Sequence, residues 1–232
     1  MLYRFKGGSN GYRPVADLIG WNGTLYGTTE QGAHASCYDG CGTVFRISPD
    51  GAYHVIHHFL GYPHDGAYPE AGFILVKGKL YGTTFGGGVL ERPDYRLGGF
   101  GPGTVYSIDT SGKESVIYTF AQYEADGSRP LAALTEYRGA LYGTTVDGGV
   151  PNACYGSSSP CGTVFKTTLS GKEKVLYEFK GRYDPKDGST PFAGLTLVGN
   201  KLYGTTRYGG TGGVGVVFSI TSSGKESILH TF

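Results

Sequence analysis

Leu-Tyr-Gly-Thr-Thr occurs four times in this chain of 232 residues, at residues 25–29, 80–84, 141–145 and 202–206. The spacings of 55, 61 and 61 residues leave little of the chain outside a repeating unit. Self-similarity at a nearly fixed period is typical of proteins that carry one structural unit in several copies. The pentapeptide therefore predicts four similar units in tandem.

The same signals surround the pentapeptide in each copy. A proline, a short apolar run and a tight turn precede it, and a variable glycine-rich loop follows it. Next comes Gly-Thr-Val-aromatic at residues 42–45, 103–106 and 162–165, degraded to Gly-Val-Val-Phe at 215–218. A polar turn then leads to an alternating run that ends in phenylalanine, at residues 55–59, 116–120, 175–179 and 228–232. Each unit thus contains four segments, A to D, with the proline and its apolar run as segment A.

These segments have the composition of β-strands. They are short, rich in Val, Ile, Thr, Tyr and Phe, and bounded by Gly, Asn, Asp and Pro. Long helices are disfavoured by 42 glycines. Four strands in each of four tandem units predict an all-β fold, a β-propeller of four four-stranded blades. An open β-repeat array, or part of a larger propeller, is the alternative. The glycine of each pentapeptide predicts a close backbone approach between blades.

The chain shows no break in composition, which predicts a single repeat domain over residues 1–232. Its repeats span approximately residues 6–59, 60–120, 121–179 and 180–232. Residues 1–5 form an extra outer-type strand in this prediction, because Leu2-Tyr3-Arg4-Phe5 aligns with the D segment at residues 176–179.

The full repeat resembles the GloVer-type tandem repeat of bacterial secreted or surface proteins with interchangeable anchors. The resemblance rests on the order Pro, Ala-Gly-Leu, Leu-Tyr-Gly-Thr-Thr, Gly-Gly, Gly-Thr-Val-Phe, Ser-Gly and Phe, and covers essentially the whole chain. It implies a propeller-like extracellular array and brings no catalytic residues or cofactor. The copies depart from the pattern mainly through longer B–C loops in the first three.

Composition excludes several classes of partner. The net charge is +1 with both signs interspersed, so no basic track for nucleic acid is expected. No apolar run is long enough for a membrane span. The first residues do not resemble a signal peptide, so a secreted protein would be mature or trimmed here. An extracellular or cell-surface location is the expectation.

The four cysteines form two close pairs, Cys37 with Cys41 and Cys154 with Cys161, in the B–C loops of copies one and three. Two disulfides within the loops are predicted, which indicates an oxidising compartment. A shared four-cysteine zinc site and reduced thiols are the alternatives. The zinc site would require loops on opposite sides of a four-membered ring to converge.

The longest loop, residues 85–100 of the second copy, contains the candidate ligand-binding residues. Arg92, Asp94, Tyr95, Arg96 and Phe100 combine aromatic rings with bidentate polar groups, which suits a sugar or peptide. The alternative is an adaptable surface insertion. In an antiparallel blade the B–C loops and D–A crossovers share one face, so this face is predicted to carry recognition.

Other polar residues are given structural roles. The repeated Asp-Gly at residues 65–66, 126–127 and 187–188 predicts turns that start segment A, and binding of a cation or polar ligand by the aspartates is the alternative. His57 aligns with Tyr118 and Tyr177, so the cluster of His54, His57, His58 and His64 is interpreted as outer-strand residues, and no metal site is expected. Asp17, Glu70 and Glu124 could pair as a glycosidase dyad, but nothing in the sequence selects two of them.

The sequence favours a non-enzymatic extracellular binding or adhesion module, with carbohydrate bound on the long-loop face. One alternative is a structural subunit of a surface assembly or filament, in which residues 1–6 add a strand to a neighbour. The other is a polysaccharide-acting enzyme. The partners expected are a glycan, a surface protein or a second copy of the chain.

Overall fold

The computed structural model describes residues 1–33, 37–63, 65–88, 101–121, 126–150 and 161–232. It contains four four-stranded antiparallel sheets, one from each copy of the repeat, with strands A to D in chain order. Three two-stranded ladders and the 3₁₀ turns Gly8–Asn10 and Gly181–Tyr183 complete the assigned elements. The predicted all-β propeller class with four four-stranded blades is confirmed. No helix in these ranges is long and apolar enough to cross a membrane.

The strand bounds follow the repeat closely. In blade 1, strands A to D are Ile19–Trp21, Thr24–Thr29, Thr43–Ile47 and Tyr53–His58. In blade 2 they are Ile74–Val76, Lys79–Thr84, Thr104–Ile108 and Glu114–Thr119. In blade 3 they are Thr135–Tyr137, Ala140–Thr145, Thr163–Thr168 and Glu173–Glu178. In blade 4 they are Thr196–Val198, Lys201–Thr205, Val216–Thr221 and Glu226–Thr231.

Strand A begins later than the proline run that predicted it. In blade 1 it starts at Ile19, five positions after Pro14. The residue before each proline has a positive φ of 57–58°, as at Arg13 and Tyr68. A left-handed residue followed by a proline without an N–H cannot continue a ladder. The proline run is therefore the entry into strand A and not the strand itself.

The pentapeptide glycine allows a close contact, but within its own blade. A Cβ at Gly27 would lie 2.7 Å from Cζ of Phe45, and one at Gly143 would lie 2.6 Å from Cζ of Phe165. Each glycine pairs directly with that strand C aromatic. The prediction that this contact lies between blades was wrong, because the aromatic ring that lies over the glycine belongs to the adjacent strand of the same blade.

The chain divides into two compact units. Unit 1, Met1–Thr119, contains blades 1 and 2, and unit 2, Phe120–Phe232, contains blades 3 and 4. Within each unit, the phenylalanine that ends strand D packs edge-on against the strand C aromatic of the next blade. The ring centroids are 5.1 Å apart for Phe59 and Tyr106 and 5.3 Å apart for Phe179 and Phe218. These aromatic pairs belong to the buried core of their unit.

The N-terminal segment packs on blade 1 as a D strand would. Phe5 meets Phe45 edge-on at 5.3 Å, and Tyr3 stacks on Tyr53 at 3.9 Å. Residues 1–6 are nevertheless assigned to no strand. The side chains of this segment therefore reproduce the packing of a D strand without its ladder.

Candidate functional site

A pocket of about 150 Å³ lies in unit 1, beside the ends of the B strands of blades 1 and 2. Three aromatic rings and three polar side chains line it: Tyr38, Tyr68, Phe85, Glu30, Gln31 and Glu70. This set, called the Tyr38 pocket below, comes from both blades of the unit and from the B–C loop of blade 1.

The backbone around the Tyr38 pocket is the repeated part. Glu30 and Phe85 each follow a pentapeptide, and their N–H groups donate to the carbonyls of Arg13 and Tyr68, both at 3.0 Å. The side chains at these positions are not repeated, since Val146 takes the same place in blade 3. The frame is shared, and the residues that line the pocket are particular to unit 1.

The predicted disulfide Cys37–Cys41 is confirmed, with its Cα atoms 5.1 Å apart, and it closes the loop that carries Tyr38. The Tyr38 side chain is 81% exposed, and its carbonyl accepts a hydrogen bond from the Tyr68 hydroxyl at 3.3 Å. Cys161 is also disulfide-bonded. Cys154 lies outside the described residues.

Two carboxyl groups with different environments lie at the pocket. Burial, followed by the negative charge of Glu30, raises the pKa of Glu70 from 4.5 to about 7, although Arg13 opposes this. Glu30 itself pairs with the Arg13 guanidinium at 3.1 Å. Near neutral pH the pocket thus offers a partly protonated carboxyl group that donates or accepts and a second one held by a cation.

The predicted ligand residues Arg92, Asp94, Tyr95, Arg96 and Phe100 lie outside the described residues. The first residue of their loop, Phe85, lines the pocket. His64 and Glu124 also lie outside the described ranges. Of the three carboxylates considered as a dyad, Glu70 lies in the pocket, and its neighbour there is Glu30, which the sequence did not select.

The repeated aspartates have the structural role that was predicted. The Asp65 carboxylate accepts hydrogen bonds from the N–H groups of Leu60 at 2.9 Å and Gly66 at 2.6 Å. Asp126 and Asp187 make the same pair of bonds within their own crossovers. These aspartates connect the end of one strand D to the start of the next copy.

A glutamate at the start of strand D accompanies each of these aspartates. Burial, followed by the charge of the neighbouring aspartate, raises the pKa to about 7 in all three glutamates: Glu114 beside Asp65, Glu173 beside Asp126, and Glu226 beside Asp187. Sequence reasoning missed this pairing. The recurrence of glutamate at one register in three of the four D strands was its signal. His57, Asp65 and Glu114 also form a group that could hold a metal ion.

The sequence profile of one protein family matches the chain. The family is described as Gloeobacter/Verrucomicrobia repeat, and the matches cover residues 1–155 and 94–232. No curated protein sequence matches.

Several solved structures are distantly similar. The tricorn protease aligns with a TM-score of 0.48 and 14% identity, over 90% of this chain and 18% of that one. A putative gluconolactonase aligns at 0.46 and 15%, over 93% and 60%. A mutant of the GH43 protein BlXynB from Bacillus licheniformis aligns at 0.47 and 14%, over 94% and 42%. The chain spans less than two thirds of each of these proteins.

Proposed function

The chain belongs to the Gloeobacter/Verrucomicrobia repeat family, and from that premise we propose that it is a non-enzymatic binding module that takes carbohydrate in the Tyr38 pocket. The observation that carries the proposal is the lining of the pocket, three aromatic rings with Glu30, Gln31 and Glu70. Aromatic rings pack against the apolar faces of sugar rings, and carboxylate and amide groups pair with hydroxyls.

An extracellular or cell-surface location is part of the proposal. Disulfides persist in oxidising compartments, and Cys37, Cys41 and Cys161 are all disulfide-bonded. The Cys37–Cys41 bridge also supports the binding function, because it holds the Tyr38 loop against the pocket and reduces the ordering cost of binding.

A glycan array with the full chain is the first test, followed by titration of the best glycan against variants. Replacing the exposed Tyr38 with alanine should weaken binding by about tenfold or more through loss of ring contact, without loss of folding. Tyr183→Ala is the matched control, because Tyr183 is 58% exposed in unit 2. The proposal fails if no glycan binds above background, or if the two variants bind alike.

The loop of residues 85–100 extends the proposal. It starts at Phe85 in the pocket, so Arg92, Asp94, Tyr95, Arg96 and Phe100 are candidates for further contacts with the same glycan. Alanine substitution of Arg96 should reduce affinity in the titration above. An unchanged affinity for all five single variants would confine binding to the pocket itself.

A polysaccharide-acting enzyme is the second candidate, and the pair Glu70 and Glu30 favours it. A carboxyl group whose pKa is raised by burial, as that of Glu70 is, suits a general acid, and a second carboxyl group beside it is the other half of a glycosidase pair. The test is release of reducing ends from a panel of polysaccharides, with Glu70→Gln as the comparison. Release that Glu70→Gln abolishes supports an enzyme, and a panel without release removes this candidate.

Self-association through residues 1–6 is the third candidate function. It is favoured because this segment packs like a D strand but is not part of a ladder. A backbone without ladder partners can add to the edge of another sheet. Light scattering should give a lower mass for a chain that lacks residues 1–6. An unchanged mass would exclude strand donation.

A further inference from the structure

The side chains of His57, Asp65 and Glu114 converge between blades 1 and 2 of unit 1. Their potential ligand atoms all lie within 4.8 Å of one another, and His57 Nε2 is 3.3 Å from Asp65 Oδ2. His57 comes from strand D of blade 1, Asp65 from the crossover that follows it, and Glu114 from the start of strand D in blade 2. Any ion held here would connect the two blades.

Blades 3 and 4 provide the reference for this arrangement. There Tyr177 takes the place of His57, and its hydroxyl donates to Asp187 Oδ2 at 2.8 Å. The register is the same, since Val44 pairs with His57 as Val164 pairs with Tyr177. An imidazole therefore stands where the repeat elsewhere places a phenol, beside an aspartate and a glutamate that the repeat keeps.

The hydrogen bonding of this imidazole is incomplete. Although His57 Nε2 is near Asp65, their geometry is not that of a hydrogen bond, and this buried nitrogen has no hydrogen-bond partner in the structure. Glu114 Oε1 is likewise buried without a partner, as are the equivalent oxygens of Glu173 and Glu226. The unpartnered imidazole nitrogen is therefore what sets this junction apart. A nitrogen and a carboxylate oxygen that lack donors and acceptors can be satisfied by a cation.

Tyr106 supplies an independent observation. The other three blades have phenylalanine at this strand C position, namely Phe45, Phe165 and Phe218. The Tyr106 side chain is fully buried, and its hydroxyl has no hydrogen-bond partner. Burial raises the pKa of this phenol, and the nearby negative charges of Glu114 and Asp65 raise it further. Blade 2, which follows the strand that carries His57, thus also has an extra buried hydroxyl. That hydroxyl lies near the carboxylates of Asp65 and Glu114.

We propose that His57, Asp65 and Glu114 bind a divalent transition-metal ion, with Zn²⁺ as the best match. One imidazole nitrogen and two carboxylate oxygens form a ligand set that Zn²⁺ accepts, whereas Ca²⁺ and Mg²⁺ prefer oxygen ligands alone. Zinc bonds of about 2.0–2.2 Å place tetrahedral ligand atoms roughly 3.4 Å apart. His57 Nε2 and Asp65 Oδ2 already have this separation, so any adjustment falls mainly on Glu114. Tyr106 then donates to a carboxylate oxygen or to a water on the ion.

The His57 side chain is 17% exposed although its Nε2 is buried, so an ion must enter past the imidazole ring. The site involves neither the Tyr38 pocket nor a glycan, so its test is independent of the test of the proposed function. It predicts that zinc stabilises unit 1 by linking blade 1 to blade 2.

The test is titration of the chelator-treated full chain with ZnCl₂ by calorimetry and by thermal melting, with MgCl₂ as the comparison. The wild type should bind one Zn²⁺ per chain and melt several degrees higher with zinc. His57→Tyr, which places the residue of blades 2 and 3 at this register, should weaken binding at least about 100-fold. His54→Ser is the matched control, because the same strand position is Ser115 in blade 2 and His54 is exposed.

Glu114→Gln is a second test variant, which is useful if His57→Tyr does not fold. It should also lose zinc binding. The proposal is overturned if the wild type binds no zinc, or if His57→Tyr and Glu114→Gln bind it as the wild type does. Loss of binding in His54→Ser would also overturn it, because the ion would then lie on the exposed face of the strand.

Discussion

The junction between blades 1 and 2 and the junction between blades 3 and 4 have the same backbone but different side chains. Each has an aspartate in the crossover and a glutamate at the start of strand D. The first combines these with His57 and Tyr106, and the second with Tyr177 and Phe218. In the second, the tyrosine satisfies the aspartate. In the first, three buried polar atoms stay without hydrogen-bond partners, on His57, Tyr106 and Glu114. The second shares only the glutamate oxygen of this set, on Glu226. The repeated residues therefore maintain the fold, and the residues that depart from the repeat provide polar atoms that are free to bind a ligand.

The largest expected effect is loss of the shared aspartate. Asp187→Ala removes three hydrogen bonds, from the Lys180 and Gly188 N–H groups and the Tyr177 hydroxyl, and should cost about 3–4 kcal/mol of unfolding free energy. Asp65→Ala should cost about 1 kcal/mol less in zinc-free protein, because His57 makes no hydrogen bond to it. Urea unfolding measures both. Equal costs would show that the two junctions do not differ in this way.

Exchange of the strand C aromatic should act in opposite directions in the two junctions. Tyr106→Phe removes a buried hydroxyl without a partner and should stabilise zinc-free protein by about 1–2 kcal/mol. Phe218→Tyr buries such a hydroxyl in unit 2 and should destabilise by about 1–3 kcal/mol. Thermal melts in chelator at one pH would decide. Destabilisation by Tyr106→Phe would mean that the hydroxyl is satisfied in the folded chain.

A smaller effect is expected at the glutamate of the second junction. The pKa of Glu226 is raised from 4.5 to about 7 by burial and then by Asp187, so the folded state favours its protonated form. The resulting stability is complete below pH 4.5 and is lost as the pH rises through 7. Glu226→Gln stays neutral. It should match the wild type near pH 4.5 and exceed it at pH 8 by roughly 1 kcal/mol, after allowance for solvent screening.

Denaturant unfolding across this pH range is the measurement. Glu173→Gln should give a similar profile, since burial and then a neighbouring aspartate raise the pKa of Glu173 as well. Blade 1 already has a neutral version, in which Tyr53 occupies this register and donates to the carbonyl of Asn10 at 2.7 Å. A stability difference independent of pH would contradict the assignment.

Much of the fold could be predicted because the same sequence pattern occurs in all four copies of the repeat. The pentapeptide, the Gly-Thr-Val motif and the Asp-Gly turns each set a local structure through residues close together in sequence. The start of strand A could not be predicted in the same way. It depends on positive φ at the residue before each proline, at positions occupied by Arg13, Tyr68, Arg129 and Thr190, none of which favours that conformation by itself.

The sites were less predictable, because they join residues from different copies. Alignment placed His57 correctly at an aromatic position, but only packing brings Glu114 of the next blade to it. Glu30 and Glu70 also come from different copies, and the packing of blades 1 and 2 places both in one pocket. A comparison of the copies shows at which positions the residues differ. Packing between blades decides which of those residues come into contact.

Zinc stoichiometry in three chains tests the central claim, that two departures from the repeat turn a structural junction into a metal site. Equilibrium dialysis should give one Zn²⁺ per wild-type chain and none for His57→Tyr. Two ions should bind to Tyr177→His combined with Phe218→Tyr, which copies the first junction into the second. The same zinc content in all three chains would contradict the account.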